Sequence, residues 1–314
     1  MNNKVLLIGG GGTLGTYTAK ELLNAGHAVD IICLDDRTSE TEGLRFFQGE
    51  ATAGYLADFL KDKMYDGIVN FIHYPEVEEY PPVHEILISH TKHLIVLSSY
   101  RVYADRQHPV TETAPMLLDV STDREFIETE KYAISKAKLE KYLNAHCKGQ
   151  PWTVVRPVIS FSKDRFDLLM HSRHKLIDLT EQHEVIPLPA EAKDITAGLD
   201  WAGNSGKLIA ALLFKEKTYG EAYTVSSAQN LTWDEVASLY TEQIGARFRW
   251  VPAEEYIKTL KKSLHYALLY DRLFDRRIDN SKILSATGLR PGDFLPIQSG
   301  LEIELERYRR EHRE

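Results

Sequence analysis

The apolar positions of this chain change period along its length, and the changes mark out its elements. Val5–Ile8 is an unbroken apolar run, too short for a buried helix, and predicts a strand covered on both faces. Leu14, Tyr17, Thr18, Leu22 and Ala25 then recur at helical spacing, and Gly26 follows as the C-cap. Val29–Leu34 predicts a second strand, Phe46-Phe47 a short third, Ala57–Phe59 part of a helix, Gly67–Ile72 a fourth strand and Leu94–Ser98 a fifth. A helix over Tyr132–Ala145 and a sixth strand over Trp152–Val155, stopping at Arg156-Pro157, complete the series. Strand, loop and helix in this rhythm imply right-handed βαβ units and a parallel sheet.

Beyond Pro157 the alternation weakens. Residues 158–194 read as basic and histidine-rich loops with an IPLPAE turn, and a helix over Lys207–Phe214 and a strand over Ala222–Val225 read as a return to the sheet. In LTWDEVASLYTEQIG, Thr232 with Glu235 three residues later is a capping box that opens a further helix. There are no repeats or low-complexity tracts.

The loop after the first strand reads GGGGTLG, giving Gly9-x-x-Gly12-x-x-Gly15 and, through Gly10, Gly12 and Gly15, G-x-G-x-x-G as well. Such glycines allow a tight turn and a close approach of backbone to a pyrophosphate, which then meets amides at a helix N-terminus. Following a strand and opening a helix, Gly9, Gly10, Gly11, Gly12, Thr13, Leu14 and Gly15 are candidate dinucleotide-binding residues. Asp35 lies where a carboxylate at the end of the second strand accepts hydrogen bonds from an adenosine ribose and repels a 2′-phosphate, which favours NAD. Asp36 and Arg37 adjoin it, and a guanidinium there keeps NADP open. The expected fold class is therefore α/β, a Rossmann-type doubly wound parallel sheet with a smaller, mainly C-terminal substrate lobe. Residues 1–157, with 195–227 returning to them, form the dinucleotide-binding part; 158–194 and 228–314 form the lobe, over the carboxyl edge of the sheet.

Bulk properties narrow the classes of partner. The chain has 314 residues, is 43% hydrophobic and 27% charged, and carries a formal charge of −8. That excludes wholesale disorder and disfavours a nucleic-acid partner, whose phosphates demand clustered Lys and Arg. The basic tail LERYRREHRE is interleaved with glutamates and reads as a solvated helix face. Cys33 and Cys147 are the only cysteines and have no metal-ligand spacing, which suits free thiols in a reducing cytoplasm. The start MNNKVLLIGGGG is far short of a secretion signal, and no run approaches ~18 apolar residues, so neither export nor a membrane partner is expected.

Two polar constellations remain. LSSYRVY, residues 97–103, places Ser98, Ser99, Tyr100 and Arg101 where the fifth strand ends, as either a serine-rich turn or the rim of an active site. Tyr132 and Lys136 stand at i and i+4, on one face of their helix. A free phenol has a pKa near ~10, and an ammonium one turn away favours the phenolate, so the pair can act as an acid/base.

Taken together, Gly9-x-x-Gly12-x-x-Gly15, Ser98-Ser99-x-x-Val102-Tyr103, Tyr132-x-x-x-Lys136, Arg156-Pro157 and the segment GEAYTVSSAQNLTWDEVASLY resemble the extended short-chain dehydrogenase/reductase family, in its NAD-dependent epimerase/dehydratase branch. The resemblance implies Ser99 polarising a substrate oxygen, Tyr132 as acid/base and Lys136 as its partner and a ribose ligand. It also implies Ser98 and Pro157 beside the cofactor, and hydride transfer between a carbinol carbon and nicotinamide. Dehydratases of the family look like T-D-E-V-Y after the fifth strand, and decarboxylases like T-S-E-V-Y. Here Tyr100 and Arg101 stand in those places, and an arginine cannot exchange protons near neutral pH. Epimerisation or simple carbonyl reduction is what remains.

The family's HLAA segment reads HYPEVEEYPP, its N-V-Y-G-P reads VISFSKD, and its R-D-F-V-H-V-D-D reads DITAGLDWAGN. The expected substrate is thus a nucleotide-sugar or related carbinol, and monomer and homodimer both fit. The rivals are an NADP(H)-dependent carbonyl reductase and a dinucleotide-sensing protein without catalysis.

Other features take a plainer reading. GNSGK at 203–207 lacks phosphate-loop spacing and reads as a helix cap. His171, His174 and His183 lack acidic or thiol partners at ligand spacing, so no metal is expected. Arg165, with Arg173 and His171, is a candidate for a substrate phosphate, though a solvated basic loop fits equally. No G-x-S-x-G elbow supports a hydrolase. Trp201, Trp233 and Trp250 read as packing residues.

Overall fold

The computed structural model describes residues 2–312, except for the side chains of Arg173 and His174, so the expectations placed on those two lie outside the described residues. The sequence runs are realised as β1 (Lys4–Ile8), α1 (Thr13–Asn24), β2 (Ala28–Cys33), β3 (Leu44–Gln48), α2 (Ala53–Leu60), β4 (Gly67–Asn70), α3 (Tyr80–Ser89) and β5 (Leu94–Leu97). Short helices α4 (Leu117–Val120) and α5 (Arg124–Thr129) lead to α6 (Ala133–His146) and β6 (Trp152–Pro157). With β12 (Glu221–Val225), which returns to them from later in the chain, these strands form a parallel sheet of seven in the order β12-β6-β5-β4-β1-β2-β3. The chain winds outward from β1 in both directions, so the crevice between the carboxyl ends of β1 and β4 is the switch point where such sheets take ligands.

In β1, Val5 and Leu7 enter the core under α1, and Leu6 and Ile8 enter the core under α2 and α3, which is why the run is apolar without alternation. Gly26 has φ +81° just past α1, as a helix-ending glycine should. The HYPEVEEYPP segment does carry a helix, α3, entered through Pro81 and Pro82.

Between β6 and β12 the expected loops are largely regular. They hold β7 (Ile159–Phe161), β8 (Asp167–Leu168), β9 (His171–Ser172), α7 (Arg173–Glu181), β10 (Val185–Pro189), β11 (Leu199–Trp201) and α8 (Ala202–Leu212). The IPLPAE stretch is therefore mostly strand. Its partner is β13 (Arg247–Val251), which follows α9 (Trp233–Ile244). Prolines fit there because β10 is a two-stranded edge. GNSGK is no cap. It lies inside α8, where a Cβ on Gly206 would sit 2.6 Å from the Tyr17 backbone, so the glycine lets α8 cross α1 closely.

The capping box at Thr232 forms as expected. The remaining helices are α10 (Ala253–Tyr256), α11 (His265–Ala267), α12 (Ser281–Thr287) and α13 (Ile297–Glu311). The C-terminal helix is docked on one face: Leu301, Glu304 and Leu305 are buried, and Glu304 accepts hydrogen bonds from Tyr17 and Trp201. Both cysteines are free and buried. Trp201 and Trp233 are buried in one hydrophobic cluster, and Trp250 packs half-buried against it. Among the described residues no helix is long and apolar enough to cross a membrane.

Candidate active site

The glycine loop turns the chain from β1 into α1. Gly9 adopts φ +71°, and a Cβ on Gly15 would meet the Gly10 carbonyl oxygen at 2.3 Å, so only glycine lets the helix start this close to the turn. Gly12 is the N-cap, no side chain caps α1, and its first turn carries no acid. Its first amides are thus available to an anion. Thr13 is tied across the site to Ser162, Oγ to Oγ at 3.0 Å. A cleft of 770 Å³ runs from Gly9, Gly11 and Gly12 past Asp35 to Thr52 and Val83. Asp35 follows β2 at the rim; Arg37 pairs with it at 2.6 Å and donates to the Gly11 carbonyl at 3.0 Å. Asp36 is exposed beside them.

A second cavity, of 290 Å³, lies against the carboxyl ends of β5 and β6. Ser98, Ser99, Tyr100, Arg101, Tyr132 and Pro157 border it, with Leu14 from α1 and Arg165 and Arg272 from the chain beyond β6. Ser99 Oγ accepts from the Arg101 amide at 3.2 Å, capping the single turn Tyr100–Val102, which leaves its own proton free to be donated. The hydroxyl of Ser98 turns inward and donates to Glu140. Tyr100 likewise borders the cavity without offering its phenol. The ring is 2% exposed, lies under the Arg276 guanidinium, and burial with the neighbouring Asp271 raises its pKa far above the usual value. Arg165 is exposed at the rim.

Tyr132 stands half-buried at the N-terminus of α6, and Lys136 follows one turn on, 1% exposed. Its ammonium donates to the Leu97 carbonyl at 2.5 Å and the Ile72 carbonyl at 3.3 Å. Burial brings its pKa down to about 7, against an upward pull from Glu140.

Several neighbours escaped the sequence reading. His73 packs on Tyr132 with ring centroids 5.0 Å apart, and its Nε2 lies 2.9 Å from Ser135 Oγ. Burial, then Lys136, lower its pKa. The signal was present, since the histidine is what HYPEVEEYPP shares with HLAA. One carboxylate oxygen of Glu130 accepts the amides of Tyr132, Ala133 and Ile134, fixing the start of α6. Glu140 is buried and pairs with Arg156 at 2.5 Å, while Arg156 also donates to Tyr103 at 2.7 Å. Arg156 thus clamps α6 to β6. Asp271, Arg272 and Arg276 carry no local signal at all.

His171 is no phosphate ligand. It is buried, with Nε2 2.8 Å from the Pro187 carbonyl. His183 sits at φ +58° in the turn before β10.

The sequence matches the NAD dependent epimerase/dehydratase family over residues 5–188. Among curated proteins none matches. The fold is similar to that of UDP-glucuronic acid 4-epimerase from Bacillus cereus, solved with UDP-glucuronic acid and NAD: TM-score 0.72, 15% identity, covering 98% of this chain and 100% of that one. UDP-glucose 4-epimerase from Thermus thermophilus, solved with NAD, gives TM-score 0.68 at 17% identity, covering 98% and 99%. Epimerase Mth375 from Methanothermobacter thermautotrophicus gives 0.72 at 16%, covering 99% and 93%. The chain belongs to the NAD dependent epimerase/dehydratase family, and the expected fold and NAD-dependent enzyme class stand with it.

Proposed function

We propose that this member of the NAD dependent epimerase/dehydratase family is an epimerase acting on a nucleotide-sugar or related carbinol, with Tyr132 as acid/base. The observation that carries the reading is convergence: Ser99, Tyr132, Pro157 and Leu14 of the glycine-loop helix border one 290 Å³ cavity. The residues fit a dinucleotide, with the glycine cradle, the uncapped α1 amides and Asp35 spaced along the adjoining cleft. Arg37, engaged by Asp35 and the Gly11 carbonyl, supports NAD over NADP.

Held there by the glycine cradle, the α1 amides and Asp35, NAD would supply the hydride acceptor for the carbinol carbon. Ser99 donates its hydroxyl proton in a hydrogen bond to the substrate oxygen, holding it beside Tyr132. Tyr132 takes the proton of that oxygen as the C–O bond becomes a carbonyl, and Lys136, when protonated, stabilises the phenolate. Glu130 and the Glu140–Arg156 pair keep α6 fixed meanwhile. Reversal on the opposite face of the ring returns the proton from Tyr132 to oxygen and gives the epimer. Elimination is disfavoured, because Arg101 and the inward-turned Tyr100 offer no proton-exchanging group beside the reacting carbon.

The test is Tyr132→Phe. We expect turnover to fall by about 10²–10⁴-fold with NAD binding retained; unchanged turnover would overturn the assignment. Product formed without added nicotinamide supports epimerisation, whereas consumption of external cofactor in step with product points to a carbonyl reductase.

A further inference from the structure

The cavity bordered by Ser99 and Tyr132 carries a one-sided charge. Arg101, Arg165 and Arg272 line it, and among the described residues no carboxylate does. Behind them lies an ion-pair cluster. The fully buried Asp271 meets Arg272 closely, Arg276 at 3.4 Å and Arg101 at 3.7 Å. Arg272 also pairs with Asp167 at 2.8 Å, and Arg101 reaches Glu130 at 3.3 Å. The side chain of Arg165 makes no ion pair or hydrogen bond among the described residues. Three guanidiniums therefore meet Glu130, Asp167 and Asp271, and Arg165 adds one positive charge at the rim that none of these carboxylates balances.

The geometry says where that charge acts. Asp271 is already divided among three arginines, and the second oxygen of Glu130 is occupied by the three α6 amides. Within the cluster the pairing is loose: the Nε groups of Arg101, Arg272 and Arg276 and one oxygen each of Asp167 and Asp271 are buried without a hydrogen bond. The Arg101 guanidinium lies 5.0 Å from the centre of the Tyr132 ring, and the residue follows Ser99 by two positions. An acceptor that reaches Arg101 thus sits on the ring whose hydroxyl Ser99 and Tyr132 handle, not at a distant end of the molecule.

We infer that the substrate carries a carboxylate on the reacting ring, received by Arg101 with Arg165 at the rim, while Arg272 holds the cluster in place. A single surplus charge matches a carboxylate better than a phosphate monoester, which carries about −1.5 to −2. The inference rests on the proposed roles of Ser99 and Tyr132, and binding can be read apart from them.

The experiment uses the full chain loaded with NAD and two nucleotide-sugars that differ only in a carboxylate against a hydroxymethyl group. Calorimetry should show the acid binding at least about tenfold tighter, a preference that weakens with salt. Arg101→Gln should remove most of that preference, lowering the acid's affinity more than the neutral sugar's. Arg165→Gln, at an exposed residue that the fold does not need, should reduce it in part. Equal affinities in the unsubstituted protein overturn the inference, as does a loss in Arg101→Gln that is the same for both sugars. Nicotinamide absorbance separates the two ideas. Tighter binding of the acid with no hydride transfer keeps the carboxylate assignment and removes the epimerase reading. Oxidation of the neutral sugar, with the acid bound no more tightly, does the reverse.

Discussion

Replacing Lys136 by methionine should make the protein more stable near neutral pH while removing its support for Tyr132. The folded pKa is about 7 and the ordinary value is 10.5. Between those values the unfolded chain holds a proton that the folded chain has released, so this group makes stability rise with pH across that window. Below about pH 7 the burial penalty is fully present. At about pH 7 the penalty works out at about 4 kcal/mol, and at about pH 10 it shrinks to about 1 kcal/mol. Methionine has a similar stem and no charge, but it leaves the Leu97 and Ile72 carbonyls without their donor, at a cost of about 1–3 kcal/mol. The variant should therefore be about 1–3 kcal/mol more stable near pH 7 and equal or less stable near pH 10. Urea unfolding of both proteins across this range gives the difference, in which the other titrating groups cancel. Two stability curves that run parallel between about pH 7 and 10 would refute the reasoning, whichever protein is the more stable.

Glu140→Gln should cost about 3–5 kcal/mol, because it strands the buried Arg156 without its carboxylate; urea unfolding checks it, and a change below about 1 kcal/mol would mean the pair is not holding α6. Gly15→Ala should weaken NAD binding by at least about tenfold, since the new methyl meets the Gly10 carbonyl oxygen. A fluorescence titration with NAD, alongside a thermal melt to confirm folding, measures it, and unchanged affinity would remove the cradle from the account.

What could be read from the sequence was what one segment decides by itself. The Val5–Ile8 run, the Thr232 capping box and the glycine turn all depend on neighbours within a few residues, and each took the expected form. The failures were long-range. Lys207–Phe214 looked like the helix because Gly203 and Gly206 lower helix propensity, yet Gly206 is there to let α1 cross closely, so α8 starts at Ala202. The tail is largely exposed from Glu306 to His312, as its alternating charges suggest, but the burial of Glu304 just ahead of it on Tyr17 and Trp201, from α1 and from the residue before α8, had no local signal. Ser98 and Tyr100 looked as available as Ser99. Their hydroxyls turn inward because Glu140 and Asp271, brought in from α6 and from near α11, are buried there and accept from them.

The same distinction runs through the site. Ser99, Tyr132 and Lys136 sit in recognisable local patterns, but none of them is held in place by its own pattern. Lys136 is destabilised where it stands, as its lowered pKa records. It stays buried because α6 is fixed at both sides of it, by Glu130 under the first amides and by Arg156 through Glu140. Glu130 in turn shares Arg101 with Asp271, and Asp271 is held below the usual carboxylate range because Arg272, Arg276 and Arg101 outweigh its burial. The start of α6 and the positive charge in the cavity are therefore set by one connected group of charges. A change to Arg101 should act on which substrate is accepted, whereas a change to Glu130 should move Tyr132 itself, and the two can be told apart because the first alters the choice between sugars and the second lowers turnover of both.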